Sequence, residues 1–173
     1  METRKAKPGF KSCSDKTCSM CPFTNKSGNN NKLITQVEIK HSGQIINIKD
    51  HLTCSSKRCL YICSCERCPK TKARNTGKGQ KRLQKGYKGQ YVGQTKRQVK
   101  QRWTEHKSSM EDPYTIKPVG LHFQERGHRG AEDCTMIPFM KVRSRDPFVR
   151  LILEKKAISD FDLIDNGLNK KLG

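Results

Sequence analysis

Gln90-Tyr91-Val92-Gly93-Gln94-Thr95, running on to Arg102, Trp103 and His106, reads as a strand handing over to a helix. Gln90 to Gly93 is short and β-prone. Thr95 suits a helix N-cap. From there to about Ser109, Val99, Arg102, Trp103 and His106 fall at i, i+3, i+4 and i+7, which places them on one helical face. Upstream, Leu60-Tyr61-Ile62-Cys63 is a second short apolar run and is expected to be the partner strand.

Working outward, Pro69 to Gly89 joins the two strands and is rich in Lys, Arg and Gly without one acid. It reads as a flexible basic loop over residues 69–89. Leu33 to Ile39 and Gln44 to Ile48 alternate around His41-Ser42-Gly43, a β-hairpin pattern. Ser27-Gly28-Asn29-Asn30-Asn31 reads as a loop, and residues 1–12 as a loose basic arm. After the helix, Val119 to Glu125 is a short helix candidate. Cys134 to Val142 is a strand candidate interrupted by Pro138. Asp146-Pro147 opens a helix that reaches about Asp160. Its face is expected to include Phe148, Leu151, Ile152 and Ile158, with Arg150 and Glu154 one turn apart. The order β–β–α–β–α predicts an α+β fold, a small antiparallel sheet flanked by helices. A Cys-rich hairpin segment, residues 1–57, precedes the main domain, residues 58–173.

The 173 residues carry 36 Lys and Arg against 16 Asp and Glu, a net charge of +20. Such an excess repels itself, and a polyanion relieves the repulsion, so nucleic acid is the expected partner. Lys78, Lys81, Arg82, Lys85, Lys88, Lys96 and Arg97 are the candidate DNA contacts. The plainer reading of the run is a solubilising linker or a nuclear-import address, and a nuclear location is expected. No apolar run approaches ~20 residues, which excludes a membrane span. No apolar signal core follows Met1 to Lys5, so secretion is not expected.

Nine cysteines are present. Cys65-x-x-Cys68 makes a chelating turn and reads as zinc before disulfide. Zn²⁺ prefers four Cys and His ligands; His122 and His128 lie about two turns apart if helical, or closer across a bend, and Cys63 is a competing ligand. Cys13, Cys18 and Cys21 form a second cluster, whose fourth ligand would be Cys54 or Cys59. Cys134 is expected to be buried and inert.

Tyr61, Tyr91-Val92-Gly93, Arg102, His106, Glu154 and Gly167-Leu168-Asn169, in that order, resemble the GIY-YIG endonuclease family. Pro118 to Phe123 with Gly127-His128 resembles its Penelope-like retroelement subgroup. The likeness runs from about Cys13 to Asn169. It departs where Cys59 and Leu60 stand for the family's Gly and Ile, and in the longer basic connection. The resemblance implies a Mg²⁺- or Mn²⁺-dependent enzyme that cleaves or nicks DNA. Glu154 would bind the cation, Arg102 would stabilise the scissile phosphate, and Tyr61 or Tyr91 would help activate water. His106 would move a proton or position phosphate. Gly93 would let strand and helix pack closely, and Asn169 would be structural. Cys65, Cys68, His122 and His128 would hold structural Zn²⁺. In that family the nuclease follows a reverse transcriptase, so a polymerase of the same element is an expected partner. The chain would be a detached module, a fragment or a host-encoded remnant. Two rival readings are a non-catalytic, zinc-stapled nucleic-acid-binding protein and a ribosomal-type RNA-binding accessory protein.

Overall fold

The computed structural model describes residues 6–13, 15–24, 32–68 and 88–170. Its strands are β1 (Gly9–Lys11), β2 (Gln36–Ile39), β3 (Gln44–Asn47), β4 (His51–Thr53), β5 (Lys57–Cys65), β6 (Gln90–Gln98) and β7 (Cys134–Lys141). Its helices are α1 (Val99–Glu111), α2 (Pro118–Gln124) and α3 (Pro147–Asp160). The described residues form a mixed α+β fold. A three-stranded sheet has the order β6-β5-β7, and β1-β4 and β2-β3 form separate pairs. Both pairings of β5 are antiparallel.

Strand β5 is the centre. Every residue from Cys59 to Cys65 is buried, and both α1 and α3 pack against it. A strand covered on both faces has no reason to alternate, which is why its sequence reads as one apolar run. The edge strand β7 tolerates Pro138, which sits opposite Tyr61 beside a register shift. The hairpin β2–β3 turns where expected, with Gly43 at φ +74° and its N–H bonded to Ile39 O at 2.7 Å.

Several expectations need correction. Residues 9–11 are not part of a loose arm: Phe10 is fully buried, and β1 pairs in parallel with β4. Burying that ring outweighs the basic residues around it. Thr95 does not cap α1. It lies inside β6, its hydroxyl accepting the Arg97 N–H at 3.1 Å. The cap is Gln98, whose N–H donates to Gln101 Oε1 at 3.1 Å. On α3 the buried residues are Arg150, Ala157 and Ile158, whereas Phe148 and Ile152 are 70% and 62% exposed. Asp146 does cap this helix, accepting the Phe148 N–H at 2.9 Å. Most of the basic loop, with Lys78, Lys81, Arg82 and Lys85, and the Ser27–Asn31 loop lie outside the described residues.

The chain closes back on β6. Leu168 N–H donates to Gln90 O at 2.7 Å. The Asn169 amide accepts from Val92 N–H at 3.0 Å and donates to Val92 O at 2.9 Å. This two-point clamp satisfies the strand edge between Tyr91 and Gly93. Asn169→Ala would leave both main-chain groups of Val92 without partners. It is expected to lower stability by about 3 kcal/mol in urea denaturation.

Candidate catalytic pocket and metal centres

In the β5–β6 register, Tyr61 faces Gly93 and Cys63 faces Tyr91, so both phenols share one side of the sheet. A Cβ at position 93 would lie 2.6 Å from Tyr61 Cζ and 2.8 Å from Tyr91 Cε1. Gly93 therefore makes room for two phenol rings, rather than for a helix as the sequence suggested. Helix α1 brings Arg102 and His106 to the same place.

Tyr61 Oη is the hub. Arg102 Nε donates to it at 2.9 Å, and His106 Nε2 lies 2.8 Å away. A guanidinium can only donate, so the Tyr61 oxygen is the acceptor in its bond with Arg102. Burial, then the charges of Arg102 and Lys117, pushes His106 down to about 3, which keeps the imidazole neutral. Burial raises the Tyr61 phenol well above its ordinary range, and Tyr61 has no exposed surface. Tyr91 is only half-buried and lies edge-on to His106, with ring centroids 5.8 Å apart. Burial and the Glu154 charge raise its phenol as well.

Arg102 is held at a second point by Glu105, which also pairs with Arg97. Burial opposes the Arg102 charge, but Tyr61 and its hydrogen bond outweigh that and raise its pKa. Glu154 comes from α3. Burial raises its carboxyl, while the Gln94 main chain and the Arg102 charge pull it back down. Tyr61, Tyr91, Arg102, His106 and Glu154 thus meet in one electrostatic neighbourhood. Lys96 and Arg97 line an adjoining cleft, and Lys88 is exposed.

The depressed His106 value carries a pH signature. The unfolded chain takes up this proton near 6.5, whereas the folded chain resists it to about 3. The stability is therefore present above 6.5 and is lost as pH falls toward 3. By about pH 5 the loss is about 2 kcal/mol. His106→Asn is expected to flatten that acid limb in thermal melts recorded across pH.

Two quartets could hold a metal such as zinc: Cys65, Cys68, His122 and His128; and Cys13, Cys18, Cys21 and Cys54. In each, all four donor atoms lie within 4.8 Å of one another. Cys68 Sγ is 3.5 Å from both His122 Nε2 and His128 Nε2. In the second set, Cys21 Sγ lies 3.5 Å from Cys13 Sγ and 3.7 Å from Cys54 Sγ. Tetrahedral zinc needs about 3.5 Å for S···N and about 3.8 Å for S···S. The donor sets fit. The Nδ1 of His128 lies 3.3 Å from Glu125 O, and that of His122 lies 3.9 Å from the Glu125 carboxylate. Both contacts favour the proton on Nδ1 and leave Nε2 for a cation. Burial, then Cys65, pushes the Cys68 thiol up to about 12, so metal uptake releases protons.

The fourth ligand of the second set is Cys54 and not Cys59, whose Sγ bonds instead to Lys57 O at 3.3 Å. Cys63 is no ligand either. It sits beside the phenols and Arg102. Cys134 is buried. Two neighbours of the pocket are not singled out by sequence. Gln94 contacts α3 through Arg150 Nε at 3.0 Å, and Glu105 anchors Arg102. The i,i+3 spacing from Arg102 is the signal that points to Glu105; Gln94 has none.

Comparison with protein-family models, with curated proteins and with solved structures finds no match to this chain.

Proposed function

We propose that this chain is a GIY-YIG-type endonuclease that nicks or cleaves DNA with Mg²⁺ or Mn²⁺, in the manner of Penelope-like retroelement nucleases. Its setting is the nucleus, beside a reverse transcriptase of the same element. One observation carries the reading: the Tyr61 hydroxyl is held between Arg102 and His106, within electrostatic reach of the half-buried Glu154. An ordinary solvated helix face would not seat an arginine on a buried phenol.

The two tyrosines divide the work. Tyr61 is fully buried and accepts from Arg102 Nε, so it positions Arg102. Tyr91 is the phenol that solvent and substrate reach. Once its own proton has left to solvent, its phenolate takes the proton of the attacking water, and the guanidinium of Arg102 meets the charge that builds on the phosphate oxygens. A divalent cation bound at Glu154 would cancel that carboxylate's charge, ease the Tyr91 phenol toward ionisation and polarise the phosphate. The zinc quartets hold elements in place and take no part in the chemistry. On this division, Tyr91→Phe slows nicking more than Tyr61→Phe does.

The test is the unmutated, zinc-loaded protein on supercoiled plasmid with Mg²⁺ or Mn²⁺. Conversion to open circle supports the nuclease. Tight plasmid binding with no conversion in either metal leaves the zinc-stapled nucleic-acid-binding protein, a reading favoured by the two metal quartets.

A further inference from the structure

Next to the pocket lies a cavity of about 530 Å³ lined by Lys57, Arg58, Lys96, Arg97, Arg145 and Arg150, with no acidic residue in its wall. Two of these cations are unusual. Arg150 is only 6% exposed; its Nε donates to Gln94 Oε1, and no carboxylate among the described residues forms an ion pair with it. A buried cation without a counter-charge costs stability unless an anion joins it. Arg58 occupies the bulge between Lys57 and Cys59 at φ +54°, a left-handed backbone that favours glycine. Its Nε is the one buried side-chain polar atom without a hydrogen-bond partner among the described residues. Pro147, at the start of α3, also borders the cavity.

We infer that this cleft is a second phosphate site that grips the substrate's phosphodiester backbone beside the scissile phosphate. The inference rests on the nuclease reading only for the word scissile. Gln94 links the two sites: its side chain contacts Arg150 in the cleft, and its main chain lies against Glu154 in the pocket. A strand crossing β6 at Gln94 offers one phosphate to Arg102 and another to Arg150 and Arg58. Arg97 is partly occupied by Glu105, so Arg58, Arg145, Arg150, Lys57 and Lys96 carry the grip. Positions 58 and 145 draw no notice in the sequence, and Arg150 only as a neighbour of Glu154, because one arginine in a chain of +20 looks like any other.

The test is the salt dependence of binding to a short DNA duplex, with zinc retained and no Mg²⁺ added. Lys96→Ala with Arg145→Ala removes two exposed cleft cations. The slope of log K against log salt is expected to fall by about 1.8, at about 0.9 per phosphate contact. Arg58→Gly gives a second, fold-compatible variant, since glycine suits the backbone there; its slope is expected to fall by about 0.9. Removing Lys16 and Lys32, exposed lysines outside the cleft, is expected to leave the slope unchanged. Equal falls for cleft and control pairs, or none for the cleft variants, overturn the inference. Nicking is scored separately. A protein that fails to nick but shows the cleft-specific slope keeps this site and loses the nuclease. One that nicks with an unchanged slope keeps the nuclease and loses the site.

Discussion

Glu154→Gln is expected to slow Mg²⁺-dependent nicking by about a thousandfold while leaving DNA binding nearly intact. Losing a group that stabilises transition-state charge in a water-poor site typically costs this much. The variant is isosteric, so the pocket keeps its shape. Stability should move the other way. Burial holds the Glu154 carboxyl above its unfolded value of 4.5, so its ionised form disfavours the fold. That penalty is absent below the unfolded value and grows as pH rises through the folded one. At neutral pH without Mg²⁺, Glu154→Gln is therefore expected to melt at the same temperature or higher. A group whose removal stabilises the fold but ends the activity is there for chemistry. A Tm well below that of the parent would mean that Glu154 serves packing instead.

Stripping zinc is the other large effect. Two four-donor sets predict two zinc ions per chain. Structural zinc contributes about 10–16 kcal/mol at neutral pH, as much as the whole stability of a typical domain, about 5–15 kcal/mol. Chelation should therefore abolish cooperative melting. The two sites should fail differently. Cys68→Ser loosens the end of β5 from His122 on α2. Cys54→Ser loosens α1 itself, because Cys54 O accepts the Lys100 N–H at 2.9 Å and Ser19 O accepts the Trp103 indole at 3.2 Å. Each variant should retain one zinc by elemental analysis, and Cys54→Ser should lose more nicking, since α1 carries Arg102 and His106. Two zincs in either variant, or a melt indifferent to chelator, would contradict this assignment.

How much of this was legible in sequence depended on whether the signal was local. Strand β5 and helix α3 announced themselves through an apolar run and an Asp-Pro cap. The i,i+4 pair Arg102 and His106 was equally plain, because helical geometry alone brings the two together. Cys65 and Cys68 were readable as a chelating pair from their spacing, whereas His122 and His128 were joined to them through the family resemblance, because their approach is made only by the fold. By contrast, β1 and β4 are three residues each and pair across the sequence from residue 9 to residue 51; no local pattern encodes that. The outward turn of Phe148 and Ile152 was hidden for a related reason. Which face of an amphipathic helix is buried depends on its partner, and here β6 receives Arg150 through Gln94 in place of an apolar contact. Thr95 misled because a good capping residue is also a good β-residue, and β6 simply continues past it. Choosing between Tyr61 and Tyr91 required exposure, which only the folded chain has.

The most direct measurement is a plasmid-nicking time course with Mg²⁺ on four zinc-loaded proteins: unmutated, Arg102→Ala, Glu154→Gln and the double variant. If both side chains serve one phosphate in one pocket, the unmutated protein nicks, and the double variant is no slower than the worse single one. An unmutated protein that never nicks, or losses that simply multiply in the double variant, would contradict the shared site.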